Sequence, residues 1–227
     1  MNSLILSDNN KKIKIMSIVG KKFPSLEVSA MNEMGDTIKV NVFEEAKNNG
    51  KKVLLFWYPK DFTFVCPTEL HAFQAALGEF EKRNTMVIGA SCDTPEVHFA
   101  WLNTPKDQGG IEGVTYTILA DTNRNLSSIL EILDIQDVLY DEDLDAEIVV
   151  GDSVTYRATY LLDEDGVVFH EGVNHMPVGR NVNEFLRLID AFTHVQKNGE
   201  VCPANWEEGK TAMSADRKGT AEYLSKH

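Results

Sequence analysis

Apolar positions along the chain fall into two rhythms, and their alternation lays out the elements. Residues 53–58 are a continuous apolar run, the pattern of a strand covered on both faces, and 86–90 form a second. Between them Leu70, Phe73, Leu77 and Phe80 recur at helical spacing, predicting a helix from Cys66 to about Arg83 with one apolar face. Residues 53–90 therefore read as a βαβ unit with a parallel strand pair. Upstream, 27–30 and 37–42 read as short strands around a turn at 32–36, and a short helix over 44–49 is stopped by Gly50. Downstream, Thr94 and Pro95 open a helix that ends near 103–105. A strand over 116–120 follows, then a helix over Leu126, Ile129, Leu130 and Leu133. Strands at 156–162 and 167–169 flank a hairpin turn at 163–166. Val182, Phe185, Leu186, Ile189 and Phe192 mark a long amphipathic helix.

A βαβ unit followed by a β-hairpin and a covering helix is an α/β layout of the thioredoxin-like kind, with a central mixed sheet flanked by helices. The expected organisation is a weakly ordered lead-in over 1–16, one domain over 17–195, and a polar C-terminal arm over 196–227. At 227 residues, 43% apolar and 25% charged, the chain has the length and composition of one well-buried domain. The stretch 136–152 holds Asp137, Asp141, Glu142, Asp143, Asp145, Glu147 and Asp152 with no basic residue. It reads as a solvated acidic loop, with partner docking as the alternative.

Net charge of −13 disfavours nucleic acid and anionic membrane surfaces, since no basic stripe could replace phosphate counterions. No apolar run reaches the roughly 18 residues a membrane span needs. The first residues show no basic region, apolar stretch or cleavage site, so a cytoplasmic location is expected. Three cysteines, Cys66, Cys92 and Cys202, are too few and scattered for a disulfide scaffold and fit a reducing compartment. Neither metal-ligand spacing nor a dinucleotide or P-loop motif is present, and His170 and His175 read as surface residues beside a turn. No cofactor is expected.

Candidate chemistry centres on Cys66. It sits where the first helical pattern begins, beyond the C-terminal end of a buried strand, and Pro67 suits the first helical position. Unpaired backbone N–H groups and the helix dipole favour an anion there, and the thiolate is the nucleophilic form of cysteine. A lone cysteine is most often a small buried hydrophobe. Pro59, Thr63 and the helix-start placement bring a reactive reading level with that one. Ionising a free thiol fully at neutral pH gains only about thirtyfold, so rapid attack also needs donors that align the target and stabilise its leaving charge. Thr63 offers a hydroxyl that donates and accepts, and Arg157 a permanent, directional charge within an apolar strand where an unpaired charge is costly. Cys92, after the second buried strand, reads as packing.

The spacing Pro59, Thr63, Cys66 within Asp61-Phe62-Thr63-Phe64-Val65-Cys66-Pro67-Thr68-Glu69 resembles the active-site motif of the peroxiredoxins, in particular the typical 2-Cys subgroup that includes the peroxidase component of bacterial alkyl hydroperoxide reductase. Phe99-Ala100-Trp101-Leu102-Asn103-Thr104-Pro105, Arg157-Ala158-Thr159, Pro177-Val178-Gly179-Arg180 and Val201-Cys202-Pro203-Ala204-Asn205-Trp206 also resemble family segments in family order, over about residues 17 to 227. The resemblance implies a thiol peroxidase. Cys66 would be the peroxidatic cysteine, Thr63 and Arg157 would line the peroxide pocket, and Pro59 would shield the sulfur. Glu69 and Arg180 would be an acid–base pair orienting Arg157. Cys202 would be the resolving cysteine, condensing with the Cys66 sulfenic acid of another chain. It further implies a head-to-tail homodimer, often assembled into a decamer, with thioredoxin or a flavin-containing disulfide reductase as electron donor. Gly109-Gly110-Ile111-Glu112-Gly113 is similar to the Gly-Gly-Leu-Gly loop of members that overoxidise readily, but Glu112 interrupts it, and Tyr223-Leu224 stands where those members carry Tyr-Phe. Intermediate sensitivity is the expectation. A thioredoxin-like disulfide carrier would want Cys-x-x-Cys, and Pro67-Thr68-Glu69 follows Cys66 instead. A chaperone-like or peroxide-sensing ring is the remaining alternative.

Overall fold

A computed structural model describes residues 17–135 and 137–226; the lead-in expected over 1–16 lies outside them. Strands β1 (Val28–Met31) and β2 (Thr37–Val40) pair antiparallel, and Asn41 caps α1 (Val42–Asn49) by accepting from the Glu44 N–H. Gly50 ends that helix at φ 59°, the left-handed conformation that costs glycine least. Strand β3 (Lys52–Trp57) leads through a loop into α2 (Cys66–Ala75) and α3 (Leu77–Lys82), and β4 (Thr85–Ser91) returns parallel to β3. Thr94 accepts from the Val97 N–H to cap α4 (Pro95–Leu102), with Pro95 in the first turn. Next come β5 (Ile118–Ala120), α5 (Asn125–Ile129) and an exposed hairpin of β6 (Asp137–Asp141) and β7 (Ala146–Val150). The chain continues through β8 (Arg157–Leu162), β9 (Val168–Asn174), α6 (Val182–Asn198) and α7 (Arg217–Leu224).

Seven strands form one mixed sheet in the order β2-β1-β5-β4-β3-β8-β9, with β3, β4 and β5 mutually parallel where they touch. Strand β3 is central because its residues alternate between two cores. Val53, Leu55 and Trp57 pack with Val42, Ala46, Leu126 and Tyr160 on one face. Leu54, Phe56 and Tyr58 pack with Leu70, Phe73, Trp101, Phe185 and Ile189 on the other. That is why its sequence is apolar throughout rather than alternating. Cys66 belongs to the second core. This mixed sheet between helices is the thioredoxin-like fold expected from the sequence.

Three expectations need correction. The helix read from Cys66 to about Arg83 breaks at Ala76 (φ −96°, ψ 1°), ahead of Gly78, which lowers helix propensity. The break lets Phe73 and Phe80 share one buried patch, their rings 6.2 Å apart. The helix read through Leu133 stops at Ile129. Glu131 takes a left-handed φ of 56°, Ile132 turns into the core, and Leu133 bridges to Thr155. The stretch read as an acidic loop is a β-hairpin over 137–150, with Gln136 outside the described residues. Its charges hid two runs rich in β-branched and aromatic residues, Val138 to Tyr140 and Ile148 to Val150, which pair across a turn.

Helix α6 continues to Asn198, past the expected domain end at 195, and Gly199 closes it. Beyond it Val201 and Met213 bridge, and Trp206 is buried beside His194 and accepts from Arg187 through its carbonyl.

Candidate active site

The site lies beyond the C-terminal end of β3, where the chain must turn before α2. Tyr58 N–H donates to the Ala90 carbonyl and extends the parallel ladder by one residue, and Pro59 is buried directly after it. Phe62 then adopts φ 55°, a strained setting for a bulky residue, with its ring 5.8 Å from that of Trp101. Thr63, partly exposed, donates its hydroxyl to the Lys60 carbonyl at 2.8 Å, tightening the loop and leaving its lone pairs free to accept. Cys66 is the first residue of α2 and only 1% exposed.

Strand β8 runs antiparallel to β3 with Thr159 opposite Phe56. Its first residue, Arg157, therefore arrives at the β3 terminus on the side where Cys66 sits. Arg157 Nη1 lies 3.4 Å from Cys66 Sγ and 2.7 Å from Glu69 Oε2, while its Nε donates to the Met176 carbonyl at 2.5 Å. Glu69, one turn along α2, is held from the other side by Arg180 through Nε at 2.8 Å, Nη2 at 2.9 Å and the backbone N–H at 2.9 Å. Arg180 also donates to the Ala158 carbonyl at 3.0 Å, and its guanidinium stacks over Phe56 and Phe73 at 5.0 and 5.7 Å. Burial lowers the Arg180 pKa, and Glu69 opposes that shift.

The two buried guanidinium groups face the one carboxylate of Glu69, so this lattice carries one positive charge in excess. A thiolate at Cys66 would balance it, which is the electrostatic reason for a nucleophile here. The structure thus joins Cys66, Glu69, Arg157 and Arg180 into one hydrogen-bonded unit, with Pro59 and Thr63 on the loop that enters it. Cys202 sits apart on the arm, partly buried, its Sγ 3.6 Å from the Ala191 carbonyl of α6, and burial raises its pKa. Cys92 packs 3.8 Å from Ser127 Oγ, and burial pushes it up to about 11, far from a reactive thiol. All three cysteines are free thiols.

The AhpC/TSA family model matches residues 19–171. The chain belongs to this family. The model for the C-terminal domain of 1-Cys peroxiredoxin matches residues 191–226. Alkyl hydroperoxide reductase C of Helicobacter pylori is 39% identical over 211 residues, covering 92% of this chain and 98% of the relative. Bos taurus peroxiredoxin-2 is 39% identical over 212 residues, covering 92% and 96%. The reduced 2-Cys peroxiredoxin structure of Plasmodium vivax superposes with a TM-score of 0.80 at 39% identity, covering 92% of this chain and 99% of that one.

Several residues around this AhpC/TSA-family site carry no signal in the motif alone. Phe56 and Phe73 flank Arg180, and the Met176 carbonyl holds Arg157. His98 is fully buried inside α4 and joins Asp61 and Tyr58 beneath the loop. Its one sequence signal is a histidine set among Val97, Phe99, Ala100 and Trp101. Among the described residues no group of His, Cys, Asp and Glu is placed to hold a metal ion, and no helix is long and apolar enough to cross a membrane.

Proposed function

We propose that this chain is a thiol-dependent peroxidase that reduces hydrogen peroxide and organic hydroperoxides through Cys66, serving antioxidant defence and redox homeostasis. The observation that carries the reading is the Arg157 guanidinium 3.4 Å from Cys66 Sγ, within a buried lattice one negative charge short. The Cys66 thiolate attacks one peroxide oxygen. The O–O bond breaks and its electron pair leaves on the second oxygen, which takes a proton and departs as water or alcohol. Arg157 stabilises the charge developing on the oxygens, and Thr63, its proton already committed to Lys60, accepts from the peroxide O–H. Pro59 keeps water from the sulfur. Glu69, fixed by Arg180, aims Arg157 at the thiol.

Cys66 is left as a sulfenic acid. The Cys202 thiol of a second copy condenses with it, releasing water and forming an inter-subunit disulfide. Two electrons from thioredoxin or a flavin-containing disulfide reductase restore both thiols. The assembly is a homodimer built into a decamer, in the cytoplasm. The arm that carries Cys202 matches the C-terminal domain of 1-Cys peroxiredoxin, and the likeness to the 2-Cys peroxiredoxin of Plasmodium vivax supports the resolving role of its cysteine.

Intact mass under non-reducing, denaturing conditions after one equivalent of hydrogen peroxide tests this, on wild type and Cys202→Ser. The expected products are a disulfide-linked dimer in the first and a monomer bearing one added oxygen at Cys66 in the second. Two proteins that stay reduced while peroxide persists would overturn the peroxidase reading.

A further inference from the structure

The β6–β7 hairpin leaves the body of the protein with apolar side chains uncovered on both faces. Its register sets Leu139 opposite Ile148, with Asp137 facing Val150 and Asp141 facing Ala146 on either side. Side chains alternate along a strand, so these share one face, an apolar strip cornered by two carboxylates. Leu139 is 53% and Ile148 42% exposed. The other face sets Val138 against Val149 and Tyr140 against Glu147, all of them exposed. Among the described residues neither strand pairs with a third. A two-stranded hairpin standing alone is at best marginally stable in water, so a segment that covers one face would stabilise it.

Charge narrows what that segment can be. The stretch 136–152 is rich in carboxylates and has no base. A second hairpin, a nucleic acid or an anionic lipid surface would each bring like charge against it. The complement is a run of bases set beside apolar side chains. Residues 1–16 hold Lys11, Lys12 and Lys14 against one acid, Asp8, and carry the apolar run Leu4, Ile5 and Leu6.

The start of the described chain aims this segment at the hairpin. Lys22 bridges to Val167, and the Ile18 N–H donates to Glu171 at 3.1 Å. Followed back toward the N-terminus, the chain thus runs along β9 in the direction of Asn174. Asn174 pairs with Arg157, and the base of the hairpin closes just beyond, where Leu133 bridges to Thr155. Ile18 also packs on the core face that holds Ile132, the residue before that bridge. Glu171 pairs with Tyr160, so the base lies about 20 Å away, ~17 Å along the strand and two strand spacings across. At up to ~3.4 Å per residue, Lys12 and Lys11 reach the base, and Leu4 to Leu6 reach the length of the apolar strip.

We propose that residues 4–14 of this same chain dock on the β6–β7 hairpin, with the lysines against its carboxylates and Leu4, Ile5 and Leu6 on its apolar strip. The docked segment stands beside the end of β8 that carries Arg157. It does not depend on the peroxidase reading.

Zero-length carbodiimide cross-linking of the full chain tests this, because it joins a lysine amine to a carboxylate only where the two touch. After reduction and denaturing electrophoresis, the monomer band should yield peptides joining Lys11, Lys12 or Lys14 to a carboxylate of 137–152. Amide hydrogen exchange over 137–150 gives a second reading. In the full chain carrying Lys11→Glu, Lys12→Glu and Lys14→Glu together, it should quicken by about fivefold, the effect expected of losing three exposed ion pairs. Cross-links found only in the dimer band would assign the hairpin to a second copy and overturn the proposal. So would the absence of such peptides, or hairpin exchange unchanged by the lysine replacements.

Discussion

At the scale of the residue, Arg157 is the side chain on which the site turns. It makes three contacts at once, to Cys66 Sγ, to Glu69 and to the Met176 carbonyl, so its guanidinium plane has little freedom. A lysine could not span all three. Replacing Arg157 with methionine removes the donor nearest the sulfur and leaves Glu69 to Arg180. The rate of reaction with hydrogen peroxide, measured by stopped-flow fluorescence, should fall by about 10²–10³-fold, the usual cost of losing one donor to a developing oxyanion. A loss within threefold would remove Arg157 from the catalytic role. Cys66, Thr63 and Pro59 could be picked out from the sequence because they lie within eight residues of one another. His98 could not, since nothing in the sequence places it 2.7 Å from Asp61.

At the scale of the element, helix α2 is pinned along its length to the segment that follows α4. Tyr116 donates its hydroxyl to the Leu70 carbonyl, His71 Nε2 meets the Gly110 carbonyl, and Gln74 accepts from the Thr115 N–H. Gly110 itself admits no side chain, because a Cβ there would fall 1.9 Å from the Thr104 carbonyl oxygen. The β6–β7 hairpin is the opposite case. Among the described residues it pairs only with itself, and Val138, Leu139, Tyr140, Leu144, Ile148 and Val149 are all exposed on it. Its base is already closed beneath it, where Asp134 and Tyr156 exchange backbone hydrogen bonds with Val154 and Ile132. Replacing 137–150 by a short Gly-Ser linker should therefore leave the unfolding temperature within about 4 °C, the shift expected of roughly 1 kcal/mol in a protein of this size. Differential scanning calorimetry checks this, and a larger fall would show that the hairpin braces the core.

At the scale of the whole molecule, the resemblance to members that overoxidise readily rests on the loop at Gly109–Gly113 and the end of α7, which are proposed as controls on overoxidation of Cys66. The loop is in place: Trp101 Nε1 donates to Gly109, and Ile111 is buried against the same core as Cys66. Helix α7 lies on the arm instead, with Gly219 packed against Ser214. Glu112 interrupts the first device and Leu224 departs from the Tyr-Phe pattern of the second, so both are present in altered form. Peroxide titration during turnover with excess reductant should give gradual inactivation. Full loss at micromolar peroxide, with sulfinic acid at Cys66 by mass spectrometry, would show that the loop alone suffices. Net charge of −13 keeps separate molecules apart in dilute salt, so the proposed homodimer would have to be held by apolar and strand-edge surface.

The sequence by itself determined the central strands, the helix starts and the position of the candidate thiol at a helix start, because each rests on short-range patterning. Buried β3 reads as an unbroken apolar run, Thr94 and Pro95 announce α4, and Pro67 marks the first turn of α2. Tertiary structure alone decided where helices stop and which distant charges meet. Ala76 breaks α2 from α3 so that Phe73 and Phe80 can pack together, and Glu131 turns left-handed so that Leu133 can pair with Thr155. Glu69, Arg157 and Arg180 become one unit only because β8 pairs antiparallel with β3 and brings residues 88 and 111 positions apart to the end of a single strand. Local propensity carries no information about such separations; burial of charge does, since each guanidinium enters the core only where Glu69 is there to receive it.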